Sequence, residues 1–159
     1  MKFSDMNKEL GFLNLNKKEK GIIPYSYKMF CDGGSRNEGA AIGIIVYDKD
    51  DNISLSHYEF IGIGTCNIAE YISLYTGIKL LKEKSIKDVN IFMDSELVVK
   101  QMNKKWKCHN ENIAKLNKMT LSLLNGIKWT ISWIPREKNK EADILVNLAF
   151  KERNQHEDY

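Results

Sequence analysis

The chain has 159 residues, a formal net charge of +3, 43% hydrophobic and 28% charged residues. That length suits one domain, able to bury about 68–70% of its unfolded surface, so the fold needs no disulfide staple. The longest apolar run, around positions 42–47, is far shorter than the ~18 residues of a membrane span, which argues against an integral membrane protein.

The first twenty residues carry Asp5, Glu9 and Glu19, no Arg and no apolar core, unlike a secretory or mitochondrial leader. Cys31, Cys66 and Cys108 stand far apart without a CxxC pair, and the three histidines are equally scattered. Both patterns favour a reducing compartment over a zinc site. An intracellular protein is therefore expected, cytoplasmic, or nuclear in a eukaryote. A charge of +3 is too mild to announce a nucleic-acid partner by itself.

Positions 1–23 are polar and Lys-rich, with Gly21 and Pro24 marking their end. They read as a poorly ordered extension ahead of one domain over 24–154, with a tail over 155–159. An aromatic-rich run at 25–31 predicts a first strand, closed by the turn signal Asp32-Gly33-Gly34-Ser35. Further strands are expected at 40–47 and 53–61, joined by a hairpin-type loop at 48–52. The three form an antiparallel meander.

Apolar residues then recur at helical spacing from Ile68 to Leu81, with Asn67 placed as an N-cap. A short buried strand at 88–93, a helix at 95–103 and an amphipathic helix at 112–124 follow. Trp129, Ile131 and Trp133 alternate along a strand at 128–134, which Pro135 stops, and a last helix covers 139–151. The order β-β-β-α-β-α-α-β-α is an α/β fold, a mixed sheet with helices packed on it.

In open α/β sheets, ligands gather beyond the carboxyl ends of the parallel strands. Asp32 follows the first strand and Asp94 the fourth, while Glu70 and Asp143 lie near the starts of two helices. Each alone reads as a turn aspartate or a helix N-terminal acid stabilised by the macrodipole. Brought together, such acids repel one another unless a cation sits between them. A hard divalent ion such as Mg²⁺ takes oxygen ligands from a few carboxylates plus substrate phosphate. A pair of such ions clamps the attacking and leaving oxygens in phosphoryl transfer.

Four segments carry a family resemblance. The stretch from Cys31 through Asp32, Gly33, Gly34, Ser35, Arg36 and Asn37 to Ala40 resembles the opening of type 1 ribonucleases H. Thr65-Cys66-Asn67-Ile68-Ala69-Glu70 is similar to that family's T-x-N-x-A-E helix start. Asp94-Ser95-Glu96-Leu97-Val98 followed by Trp106 resembles its D-S-x-x-V…W segment. The run from Pro135-Arg136-Glu137 through Asn139 to Ala142-Asp143 resembles its P-R-E-x-N-x-x-A-D close. The four stand in the family's order and spacing between about positions 25 and 151.

The resemblance implies a ribonuclease H-like, five-stranded mixed sheet whose first three strands are antiparallel. It also implies an endonuclease that cuts the RNA strand of RNA–DNA hybrids, leaving 5′-phosphate and 3′-hydroxyl ends. Its cofactor would be two Mg²⁺ ions, with Mn²⁺ as an alternative. Asp32 would bridge them, Glu70 and Asp94 would hold the ion on the leaving-group side, and Asp143 the ion on the water side. The segment Gly33-Gly34-Ser35-Arg36-Asn37 would meet the RNA strand, with the two glycines admitting it closely. Thr65, Asn67 and Trp106 would meet the DNA strand, and Arg136 a phosphate.

Departures from the family pattern stand out. The loop up to Asn37 is one residue short, Cys66 stands where an Asn is frequent, and the loop from Ile134 to Asn139 before the last helix has no histidine. Arg136 there is a permanent cation and cannot act as a base near neutrality. The basic protrusion of some bacterial relatives is also missing; Lys100, Lys104, Lys105 and Lys107 beside Trp106 would replace part of its charge. Other readings of the same residues are a non-catalytic nucleic-acid-binding or assembly module and a DNA nuclease of related architecture. A monomer is expected.

Overall fold

The computed structural model describes residues 26–157; the expected N-terminal extension lies outside them. Five strands, β1 (Tyr27–Arg36), β2 (Gly39–Tyr47), β3 (Ile53–Gly62), β4 (Asp88–Met93) and β5 (Lys128–Trp133), form one sheet in the order β3-β2-β1-β4-β5. β1, β2 and β3 pair antiparallel, whereas β4 runs parallel to both β1 and β5. The mixed sheet and its antiparallel meander are as expected. Among the described residues no helix is long and apolar enough to cross a membrane.

Helices cover both faces. α1 (Cys66–Glu83), α2 (Glu96–Met102) and α3 (Glu111–Leu123) lie on one side, and α4 (Lys140–Glu157) lies on the other. Side chains alternate along a strand, and the core divides accordingly. Met29 and Cys31 of β1 and Ile42, Ile44 and Val46 of β2 pack towards α1. Phe30, Ile45 and Tyr47 point the other way, with Phe92 and Ala142. β2 lies between the two layers and is buried throughout, which explains its near-continuous apolar run, Gly39-Ala-Ala-Ile-Gly-Ile-Ile-Val-Tyr47. α1 is packed from two sides, by the sheet and by α3, so its apolar residues run around the helix rather than along one stripe. Each fully buried Ile, Leu or Phe contributes roughly 1.5–3 kcal/mol, and the two layers together pin the strand ends that carry the acids.

Three boundaries differ from expectation. Asp32-Gly33-Gly34-Ser35 is not a turn: β1 continues in register with β2 from Asp32↔Gly43 to Arg36↔Gly39. The chain reverses only at Asn37-Glu38, a two-residue hairpin turn. The cap of α1 is Thr65, whose hydroxyl accepts from the Ile68 N–H at 3.2 Å. Asn67 already lies inside the helix, and Glu70 falls past its first turn. Finally, α4 reaches Glu157, beyond the predicted end at 151, because nothing in its sequence interrupts the helix.

Candidate active site at the carboxyl ends of β1 and β4

The last parallel rung between β1 and β4 is Cys31↔Met93, so Asp32 and Asp94 are the first residues beyond it. Glu70 reaches them from α1 because Gly33 leaves room. A Cβ on Gly33 would lie 2.3 Å from the Ala69 carbonyl carbon and 2.5 Å from the Glu70 nitrogen. On the other face Gly43, the partner of Asp32 across the sheet, does the same for α4. A Cβ there would meet the Ala142 oxygen at 2.4 Å. The start of α4 therefore rests directly on β2 and brings Asp143 to the site.

Carboxylate oxygens of Asp32, Glu70 and Asp94 lie within 4.8 Å of one another. Asp143 lines the same open cavity of about 460 Å³, with Gly33, Gly34, Ser35, Arg36, Cys66 and Arg136. Asp32 and Glu70 are buried, at 7% and 5% exposure. Burial pushes the Asp32 carboxyl up to about 7; the charges of Asp94 and Asp143 add to this, while a hydrogen bond with Glu70 and the Gly33 N–H oppose it. Glu70 is raised well above the usual carboxylate range by burial and then by Asp32 and Asp94. Asp94 is raised by burial, against a hydrogen bond from Asn139 and the nearby Arg136 charge.

These residues fit a metal ion. The donor set is all oxygen, as hard divalent cations require. Glu70 Oε2 is buried without a hydrogen-bond partner, a cost a cation would remove. Asn139 holds the arrangement from behind, its Nδ2 donating to the Cys31 carbonyl at 2.9 Å and to Asp94 Oδ2 at 3.2 Å. Trp133 adds a contact from β5, its indole N–H donating to the Asp94 carbonyl at 3.1 Å.

The other expected contacts are dispersed. Asn37 is exposed in the hairpin turn, and Thr65 and Asn67 are exposed at the start of α1. Trp106 is 43% exposed after α2, with the Lys100 ammonium 4.5 Å from its ring centroid. That lysine also pairs with Glu96 at 2.7 Å, so it is not a free member of the expected lysine cluster. Gly33 is buried and lines the cavity, and a Cβ there would meet the α1 backbone, so helix packing by itself already requires glycine at this position. The cavity also includes Val146, Asn147 and Phe150, which sequence reasoning missed. Their spacing of i+3, i+4 and i+7 from Asp143, one helical face, was the available signal.

Residues 30–149 match the family described as reverse transcriptase-like. The N-terminal RNase H domain of Rv2228c from Mycobacterium tuberculosis superimposes with a TM-score of 0.77 at 30% identity, over 83% of this chain and 98% of that one. The chain belongs to the type 1 ribonuclease H family. RNase H1 of the halophilic archaeon Halobacterium salinarum also superimposes with a TM-score of 0.77, at 29% identity over 80% of this chain and 98% of its own. LC11-RNase H1, solved in complex with an RNA/DNA hybrid, gives 0.72 at 30% identity, over 80% and 99%. Against full-length sequences this ribonuclease H chain spans less. It matches 34% of the bifunctional protein Rv2228c at 35% identity and 62% of the Halobacterium ribonuclease HI at 32%, in each case over 76% of this chain.

Proposed function

We propose that this chain is a metal-dependent endoribonuclease that hydrolyses the RNA strand of RNA–DNA hybrids. The observation that carries this reading is the meeting of Asp32, Glu70 and Asp94 beyond the last β1–β4 rung, with Asp143 on the same cavity. Membership of the ribonuclease H family and the likeness to a relative solved with a hybrid support the substrate.

Asp32, Glu70, Asp94 and Asp143 would hold two Mg²⁺ ions, with Mn²⁺ as a substitute. When bound, these ions supply charge neutralisation at the scissile phosphate and activation of water. The chain's own residues do the rest. Asp32 orients its carboxylate through the Gly33 N–H. Asn139 fixes Asp94 and leaves one face of that carboxylate for a ligand. Arg136, exposed at the cavity rim, neutralises a phosphate without exchanging protons. The β1 end from Gly34 to Asn37 offers backbone and hydroxyl groups to the RNA strand, whose 2′-hydroxyls distinguish it from DNA. Thr65, Asn67 and Trp106 receive the DNA strand, the helix N-terminus favouring phosphate and the indole stacking.

The test is incubation with Mg²⁺ and labelled RNA–DNA hybrid, duplex RNA, duplex DNA and both single strands. Cleavage of only the RNA strand of the hybrid, giving 5′-phosphate and 3′-hydroxyl ends, is expected. Cleavage of duplex DNA, or hybrid binding without cleavage, would overturn the reading.

A further inference from the structure

The cavity holding the carboxylates extends along α4 to a second cluster, and its lining contains two cations, Arg36 and Arg136. Arg36 is held unusually well for an exposed arginine. It is the last residue of β1, paired with Gly39 across a two-residue turn, so its backbone belongs to the ladder rather than to a loop. Its Nη2 donates to Asn147 Oδ1 at 2.6 Å. Its guanidinium carbon lies 4.1 Å from the centroid of the Phe150 ring. Phe150 is itself 1% exposed and edge-packed against Phe60, with centroids 6.1 Å apart. The remaining guanidinium N–H groups of Arg36 have no protein acceptor among the described residues.

Asn147 and Phe150 share a face of α4 with Asp143. At 1.5 Å rise per residue they lie about 6 Å and about 10 Å further along the helix. A cation fixed at that distance would meet a neighbouring phosphate of a strand whose scissile phosphate lay at Asp143. Planar guanidinium groups match phosphate oxygens bidentately, and one held by stacking and a hydrogen bond loses little freedom on binding.

We infer that Asn147 and Phe150 are positioning residues that hold Arg36 as a preset clamp for a phosphate of the cleaved RNA strand near the scissile bond. This rests on the proposed function. Arg36 contacts the strand; Asn147 and Phe150 act through it. The short hairpin turn is part of the device, because a longer loop would free Arg36 from the ladder.

The experiment measures hybrid cleavage and its salt dependence for wild type, Asn147→Ala, Asn147→Asp, Arg36→Ala and the double variant Arg36→Ala/Asn147→Ala. Mg²⁺ affinity and melting temperature are followed in parallel. Asn147→Ala is expected to raise KM about three- to tenfold, the effect of one lost hydrogen bond, and to alter kcat less. Asn147→Asp should raise KM more, since its carboxylate neutralises Arg36. Arg36→Ala should reduce the log–log salt slope by about 0.7–0.9, as expected for one phosphate contact. The double variant should be no worse than Arg36→Ala. Multiplying effects in the double variant, an unchanged salt slope, or a KM rise matched by lost stability or lost Mg²⁺ affinity would overturn the clamp. A wild type that cleaves no hybrid would overturn the function itself, and the clamp with it.

Discussion

Removing the charge of Asp32 separates the electrostatic cost of the site from its use. Asp32 is 7% exposed and its carboxyl is raised from 3.8 to about 7 by burial and by the charges of Asp94 and Asp143. In the metal-free protein the folded state therefore holds its proton more tightly than the unfolded chain. Between pH 4 and pH 7 unfolding releases that proton, so stability falls as pH rises through this window and levels off above it. A rise from 3.8 to about 7 corresponds to roughly 4 kcal/mol, or on the order of 10 °C in melting temperature for a domain of this size. Asn keeps the shape and the acceptor for the Gly33 N–H but carries no charge. In chelator, Asp32→Asn should match wild type near pH 4 and melt about 10 °C higher at pH 8. Added Mg²⁺ should then stabilise wild type by mass action and leave the variant nearly unchanged. Thermal melts across pH, with and without Mg²⁺, read all of this. A gap between variant and wild type that does not vary with pH, or a variant less stable at pH 8, would refute the reasoning.

Asn139→Ala removes both hydrogen bonds that hold Asp94 and the Cys31 carbonyl and should weaken metal binding about 10–100-fold, measured by calorimetry. Gly33→Ala forces a Cβ to within 2.3 Å of the Ala69 backbone and should destabilise the fold by about 3 kcal/mol, read from urea unfolding. Arg136→Ala should lower kcat/KM while leaving the shape of the pH–rate profile unchanged, because a guanidinium does not titrate there. With Mg²⁺ bound, the wild-type rate should rise through neutrality without a histidine step at the usual value of ≈ 6.5. Such a step, lost in His109→Ala, would show a histidine at work.

The four carboxylates were legible because their neighbours are themselves constrained. Gly33 beside Asp32, Ala69 beside Glu70, and Asn139 and Ala142 beside Asp143 recur in the motifs because each packs or hydrogen-bonds to bring its acid inward. Strand and helix order followed from the change of apolar period at Ile68. The end of β1 was misread because Asp-Gly-Gly-Ser carries turn chemistry, whereas tertiary pairing with β2 keeps it extended. Thr65 and Asn67 are both good caps, and only the tertiary position of Ala69 against Gly33 decides where α1 begins. Arg36 is more than a hundred positions from Asn147 and Phe150 in the chain, so nothing local announces their contact.

The carboxylate cluster is proposed to cut the RNA strand of a hybrid. Single-turnover cleavage of a hybrid labelled in its RNA strand, by wild type and Asp94→Asn in Mg²⁺, tests it most directly when hybrid affinity is measured alongside. Cleavage by wild type, loss of cleavage in the variant and largely retained hybrid affinity are expected. Normal turnover by Asp94→Asn would contradict it.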